Sequence, residues 1–264
     1  MQESWSVDFQ YSETERGFLA GLSTEEAILI TTGTGSYQTS VFYDADKGRA
    51  RNDGDDSLCW AGTASNMLYY SGWAPQSIFP DEQIVFDVFI ENFNDKGGRS
   101  YYGNGWFIAG NRYDYFNYLF DPTTENAGFY ASQLSSYGES YTTYAEEIDL
   151  DFSVDGMNSL ADHIQNGYAI GLGIDWTCTS CGGGSIVRSG GHAITCWGYT
   201  YNTSLQNTDP NYYTRLFVTD SDDYQSEARK LQDYAIFWSP ESDNGYNTGY
   251  IFETYGYSGE DSFG

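Results

Sequence analysis

Positive charge is scarce in this chain. Eleven lysines and arginines stand against 38 aspartates and glutamates, for a formal net charge of −27. A field of that sign repels phosphate backbones and anionic lipid, which excludes nucleic acid and membrane surfaces as partners. Long apolar runs are missing as well: no stretch of about 18 apolar residues occurs, so no membrane-spanning helix is expected. The opening MQESWSVDFQ has neither the basic region nor the apolar region of a signal peptide. Only five prolines occur, scattered, and no repeat or low-complexity linker marks a boundary. Histidine occurs twice and cysteine four times. Four cysteines in so long a chain do not read as a disulfide framework.

What is present argues for a folded enzyme-sized unit. With 40% hydrophobic and 19% charged residues, disorder is not the default. The 264 residues suffice for one large domain or two small ones, and the absence of linkers favours one. Aromatics make up 18%, including 25 tyrosines and 7 tryptophans. Tyrosine and tryptophan suit half-exposed grooves, so a tyrosine-rich binding surface and a mere compositional habit are both open readings. The acidic balance fits a secreted or cell-surface protein kept soluble by charge.

The first forty residues read as an N-terminal extension with short strands, AILITTG at 27–33 among them. A helix is expected to begin near Ser57. Trp60, Ala61, Ala64, Met67 and Leu68 fall on one helical face, Asp55, Asp56 and Ser57 offer N-caps, and Ser71-Gly72 ends the pattern. Residues 80–150 read as helical pieces joined by long loops. DGMNSLADHIQNG then gives a short amphipathic helix closed by Gly167. YAIGLGIDW, GGHAITCWGYT and RLFVTDSDD follow as strands, the second entered through two glycines. Helices followed by strands imply an α+β fold.

Cys59 falls at the start of the first helix, where the dipole and free N–H groups favour a thiolate and can serve an oxyanion. A small core cysteine is the competing reading. His192 follows Gly190-Gly191 at the opening of a strand and could serve as the base of a thiolate–imidazolium pair. His163 lies mid-helix beside Asp162 and reads as a surface residue. Asp220 and Asp222 are placed on one face of a strand end by the period of two, where one could orient the imidazole. Their bland reading is a turn cap; the spacing does not fit a calcium loop. Cys178 and Cys181 form a CxxC, but zinc would need two more ligands from a chain with two histidines. A local disulfide and free thiols stay open, and no metal or other cofactor is expected.

These residues resemble the streptococcal immunoglobulin-degrading cysteine proteases of the IdeS/Mac family. The resemblance rests on FYDADKG at 42–48, DDSLCWAGTASNML at 55–68, MNSLADHIQNGYAIGLG at 157–173, GGHAITCWGY at 190–199 and FVTDSDD at 217–223. It implies a papain-like fold, in which a helix carrying the cysteine packs on an antiparallel sheet carrying the histidine and aspartate. Residues 41–264 would form that catalytic domain, with 1–40 packed on it. Cys59 matches the nucleophile, His192 the base, Asp220 the orienting carboxylate and Asp222 a second carboxylate nearby. Lys47 matches a lysine that joins the backbone N–H of Cys59 in the oxyanion hole. Two departures stand out. The spacer from Lys47 to Cys59 is longer than in the family, and Trp60 replaces a small residue.

The implied activity is cysteine endopeptidase cleavage of a protein substrate, with immunoglobulin as the class the family suggests, by a monomer. Two rivals remain: an acyl transferase of transglutaminase or amidase type using the same triad, and a non-catalytic module that binds a host protein through its tyrosines.

Overall fold

The apolar pattern around Trp60 becomes helix α1, Cys59–Tyr70. Our computed structural model describes residues 14–18, 42–48, 54–112, 127–143, 145–150, 154–178, 187–222, 231–235 and 252–257. The helix is not one-sided as the pattern suggested, since every residue from Trp60 to Tyr69 is buried. Such a helix is wrapped by structure on all sides. It ends where Ser71 folds back, its N–H and Oγ donating to the Met67 carbonyl at 3.0 and 2.7 Å. Gly72 then turns the chain with φ of 77°.

The N-cap expectation fails. Leu58 is the cap residue, and no side chain caps this helix. Asp55 is instead drawn away: its Oδ2 accepts from the Gly48 N–H at 2.5 Å, and its carbonyl accepts from Leu58 N–H at 2.9 Å. Asp56 presents its carbonyl to the Lys47 ammonium. Ser57 donates its own N–H to Asp95 at 2.5 Å. All three residues serve contacts to distant loops, which a local rule does not see.

The middle of the chain supplies α2, Glu82–Asn92, α3, Ser100–Ala109, and α4, Ala131–Tyr137. Asp81 caps α2 by accepting from Ile84 N–H at 2.9 Å. Glycine ends α3 and α4, with Gly110 and Gly138 in the left-handed region. Trp60 joins α1 to these helices. Its ring meets Phe89 and Phe93 edge-on at 5.7 and 5.1 Å. Its Nε1 donates to the Lys96 carbonyl at 2.9 Å. Truncating an aromatic so placed costs about 3–5 kcal/mol.

The sheet is antiparallel, in the order β2-β7-β3-β4-β5-β6. Its strands are β2, Ala145–Leu150; β3, Ala169–Cys178; β4, Val187–Asn202; β5, Tyr213–Thr219; β6, Gln232–Ala235; and β7, Phe252–Tyr257. Helix α5, Val154–Gln165, precedes β3 and buries Met157, Leu160 and Ile164 as its spacing predicts. A further strand, β1, Thr14–Phe18, comes from the N-terminal stretch. It pairs with the second half of β4 just beyond the point where β3 stops. The α+β expectation therefore holds. AILITTG and Cys181 lie outside the described residues. Among those described, no helix is long and apolar enough to cross a membrane.

Candidate active site

The site is built where the N-terminus of α1 meets β4 at His192 and the C-terminal end of β5. Cys59 is the first residue of α1 and is half-buried, while Trp60 to Tyr69 after it are sealed in the core. Among the described residues nothing accepts from its backbone N–H. That is the expected state of a first-turn amide.

His192 reaches the thiol from β4. It does not open that strand, as the glycines had suggested. β4 begins at Val187, Gly190 and Gly191 pair with Trp176 and Asp175, and His192 pairs with Ile174. The missing side chains leave the strand thin immediately before the imidazole. His192 is 8% exposed. Its Nε2 donates to Asp220 Oδ1 at 2.6 Å. Nδ1 is then the nitrogen left for the thiol, and Cys59 lies close enough to His192 to act on its charge.

Burial of the ring disfavours its charge, but the bond to Asp220 and then the nearby Cys59 outweigh it. The imidazole pKa is pushed up to about 10. Burial likewise opposes ionisation of Asp220, yet the bond and charge of His192 leave its carboxyl below the ordinary value. Each partner thus favours the ionised form of the other.

Asp220 and Asp222 do not share a strand face. β5 ends at Thr219, and both residues lie in the turn that follows. Asp220 Oδ1 accepts from the Asp222 N–H at 2.9 Å. This local turn carries Asp222 alongside the imidazole, its Oδ2 3.7 Å from Nδ1. The turn cap and the histidine partner are therefore one and the same carboxylate. Tyr234, from β6, donates to Asp220 Oδ2 at 2.8 Å and fixes its second oxygen.

Lys47 is buried here, 8% exposed, and is not a surface lysine. Its Nζ pairs with Asp222 Oδ1 and donates to the Asp56 carbonyl at 2.7 Å, in the turn leading into Cys59. Its backbone N–H donates to the Ser221 carbonyl at 3.1 Å. The 42–48 segment is held in turn by Asn66 on α1. Asn66 Oδ1 accepts from Ala45 N–H at 2.8 Å, while its Nδ2 donates to Thr195 Oγ1 at 3.0 Å. One buried amide thus ties the lysine segment to the helix of Cys59 and the strand of His192.

His192, Asp220 and Asp222 bring one ligand atom each within 4.8 Å of one another, a spacing that could hold a metal ion. A cation there would have to displace the Lys47 ammonium from Asp222 and the imidazole from Asp220. His163 stands apart, its Nδ1 2.7 Å from the Ser159 carbonyl.

The arrangement brings together all five residues singled out from the sequence. Sequence reasoning missed Tyr234 and Asn66. Neither has a local signal: Tyr234 is one of 25 tyrosines, and Asn66 is a polar residue in an apolar helix pattern. A polar residue at a core position was the one available hint. The chain matches no known family model, and no curated protein matches it.

Proposed function

We propose that this chain is a cysteine endopeptidase with a papain-like fold, using Cys59, His192 and Asp220 as its triad. One observation carries the reading: His192 is bonded to the buried Asp220 carboxylate and lies close enough to the thiol at the helix N-terminus for each to act on the other. An imidazole held protonated beside a thiol favours the thiolate–imidazolium pair, which is the attacking form.

The Cys59 thiolate attacks the scissile carbonyl carbon. The carbonyl oxygen becomes an oxyanion, stabilised by the backbone N–H of Cys59 and the field of the Lys47 ammonium. His192 gives its proton to the leaving amine as the C–N bond breaks, leaving a thioester. It then takes a proton from water, whose hydroxide attacks the thioester and releases the acid and the thiolate. Asp220 keeps the ring in register, and Tyr234 keeps Asp220 in place. Asp222 positions Lys47 and adds negative charge beside the imidazolium. The similarity of the four site segments to the immunoglobulin-degrading proteases supports immunoglobulin as the substrate class and the extracellular space as the place of action.

The test is incubation with a panel of immunoglobulin classes, with fragment masses read out beside a Cys59→Ala control. A defined cut made by the native chain alone is expected. Cleavage that persists in Cys59→Ala would refute the proposal. Iodoacetamide should label Cys59 ahead of Cys196, whose wholly buried thiol is pushed up to about 12 by desolvation.

A further inference from the structure

A second site lies at the far end of the same strands. Its pocket of about 240 Å³ is lined by Asn158, Asp162 and Gln165 of α5, by Tyr199 and Tyr201 of β4, and by residues of the turn entering β5. A strand rises ~3.3 Å per residue, so Tyr199 stands on the order of 20 Å along β4 from His192. The pocket is smaller than the several hundred cubic ångströms that drug-sized ligands occupy, and is scaled to a single side chain.

Its walls have a definite polarity. Tyr199, Tyr201, Tyr212 and Tyr213 form a closed circuit of ring contacts at 4.9–6.0 Å. Several polar groups at its edge bond one another. Gln165 Nε2 donates to the Tyr199 hydroxyl at 2.6 Å, Tyr213 donates to Asn158 Oδ1 at 2.7 Å, and Asn158 Nδ2 donates to the Asn207 carbonyl at 3.1 Å. Those bonds leave acceptor capacity on the carbonyl and hydroxyl oxygens, since each has a second lone pair. The Asp162 carboxylate adds a full negative charge. Among the described residues no cation pairs with it, and Asn166 bonds only its main-chain carbonyl. Its field, after burial, helps hold the hydroxyls of Tyr199 and Tyr213 in their neutral form.

We propose that this pocket binds the ammonium or guanidinium head of a lysine or arginine side chain on a partner protein. Those heads carry three and five donors and no acceptor, and they suit the Asp162 carboxylate with the carbonyl and hydroxyl oxygens around it. A tyrosine ring in the lining offers further attraction wherever its face meets the cation. A neutral ligand would gain only ordinary hydrogen bonds from this wall, whereas a cation gains the Asp162 charge as well. The net charge of −27 draws basic partners toward any part of this surface, and the pocket gives one basic side chain a defined seat. The site stands apart from the thiol chemistry and does not depend on it.

The test is calorimetric titration of the full chain carrying Cys59→Ala, so that no probe is cleaved. The probes are end-blocked Gly-Lys-Gly and Gly-Arg-Gly, with the norleucine analogue, putrescine and chitobiose as comparisons. The basic tripeptides should bind with one-to-one stoichiometry, and the norleucine peptide should not. Asp162→Asn should weaken them about tenfold or more, as expected for a lost charge-assisted bond. Asp155→Asn, on an exposed position of the same helix, should leave them unchanged. Equal weakening by both variants would mean a diffuse field only and would overturn the proposal. So would norleucine binding as tightly as lysine, chitobiose binding in place of the peptides, or putrescine binding more tightly than either tripeptide.

Discussion

Asp222 stands between Lys47 and His192: one carboxylate oxygen pairs with the lysine ammonium, and the other lies 3.7 Å from the imidazole Nδ1. The lysine is thereby held beside the turn that delivers Cys59 without meeting the imidazolium directly. Its charge can act on an oxyanion formed at Cys59, which appears only in the transition state.

Lys47→Met should therefore lower kcat by about 10²-fold with KM little changed, the scale of losing one oxyanion donor. Steady-state cleavage of a peptide substrate reads it. A change of less than threefold in kcat would leave Lys47 a structural residue.

The His192–Asp220 pair sets a pH window for stability. The imidazole titrates at about 10 in the folded chain against 6.5 ordinarily. Its stabilising contribution is whole below about 6.5 and is lost as pH rises toward 10. Asp220 runs the other way: its contribution is present above the ordinary carboxylate value and disappears as pH falls through the depressed one. Urea unfolding between pH 6.5 and 10 should show a falling midpoint that flattens in Asp220→Asn. Parallel pH profiles for the two proteins would contradict the pairing.

Asn66→Ala should cost about 2–3 kcal/mol, because it leaves the Ala45 N–H and the Thr195 hydroxyl short of a partner in the core. It should also reduce activity, since the Lys47 segment loses its tie to α1. Denaturant midpoints and kcat/KM should fall together. Unchanged kcat/KM in the folded variant would show that the lysine is held by other means.

Gly103→Ala tests the seat of Trp60. A methyl there would lie 2.8 Å from the indole and 3.2 Å from Phe89. Overpacking of this kind costs about 1–3 kcal/mol. Tryptophan fluorescence and urea unfolding should register it. A variant as stable as the native chain would mean that the ring has room to shift.

Much of this was legible from local pattern. α1, α5 and strands β3 to β5 follow from apolar spacing and glycine punctuation. The site residues stood out by scarcity, as there are only two histidines and few thiols to choose from. What was hidden is long-range. Asp55 looks like a helix cap until Gly48, seven positions away, claims its carboxylate. Gly190 and Gly191 look like a strand entrance until β3 is seen pairing with β4 past them. Asp220 and Asp222 alternate as strand residues do, yet a side chain bonding its own backbone ends the strand first. Tyr234 enters through the β5–β6 pairing, which nothing local announces.

Helix α1 is enclosed from Trp60 to Tyr69, and of its residues only the terminal Cys59 and Tyr70 are part-exposed. An element so enclosed has no cheap local opening, and its amides exchange with solvent only when the whole fold opens. Cys59 is thus mounted on a deeply enclosed helix. Heat and denaturant should extinguish the thiol's reactivity at the global transition and not before it, whatever the loops around the site do in the meantime.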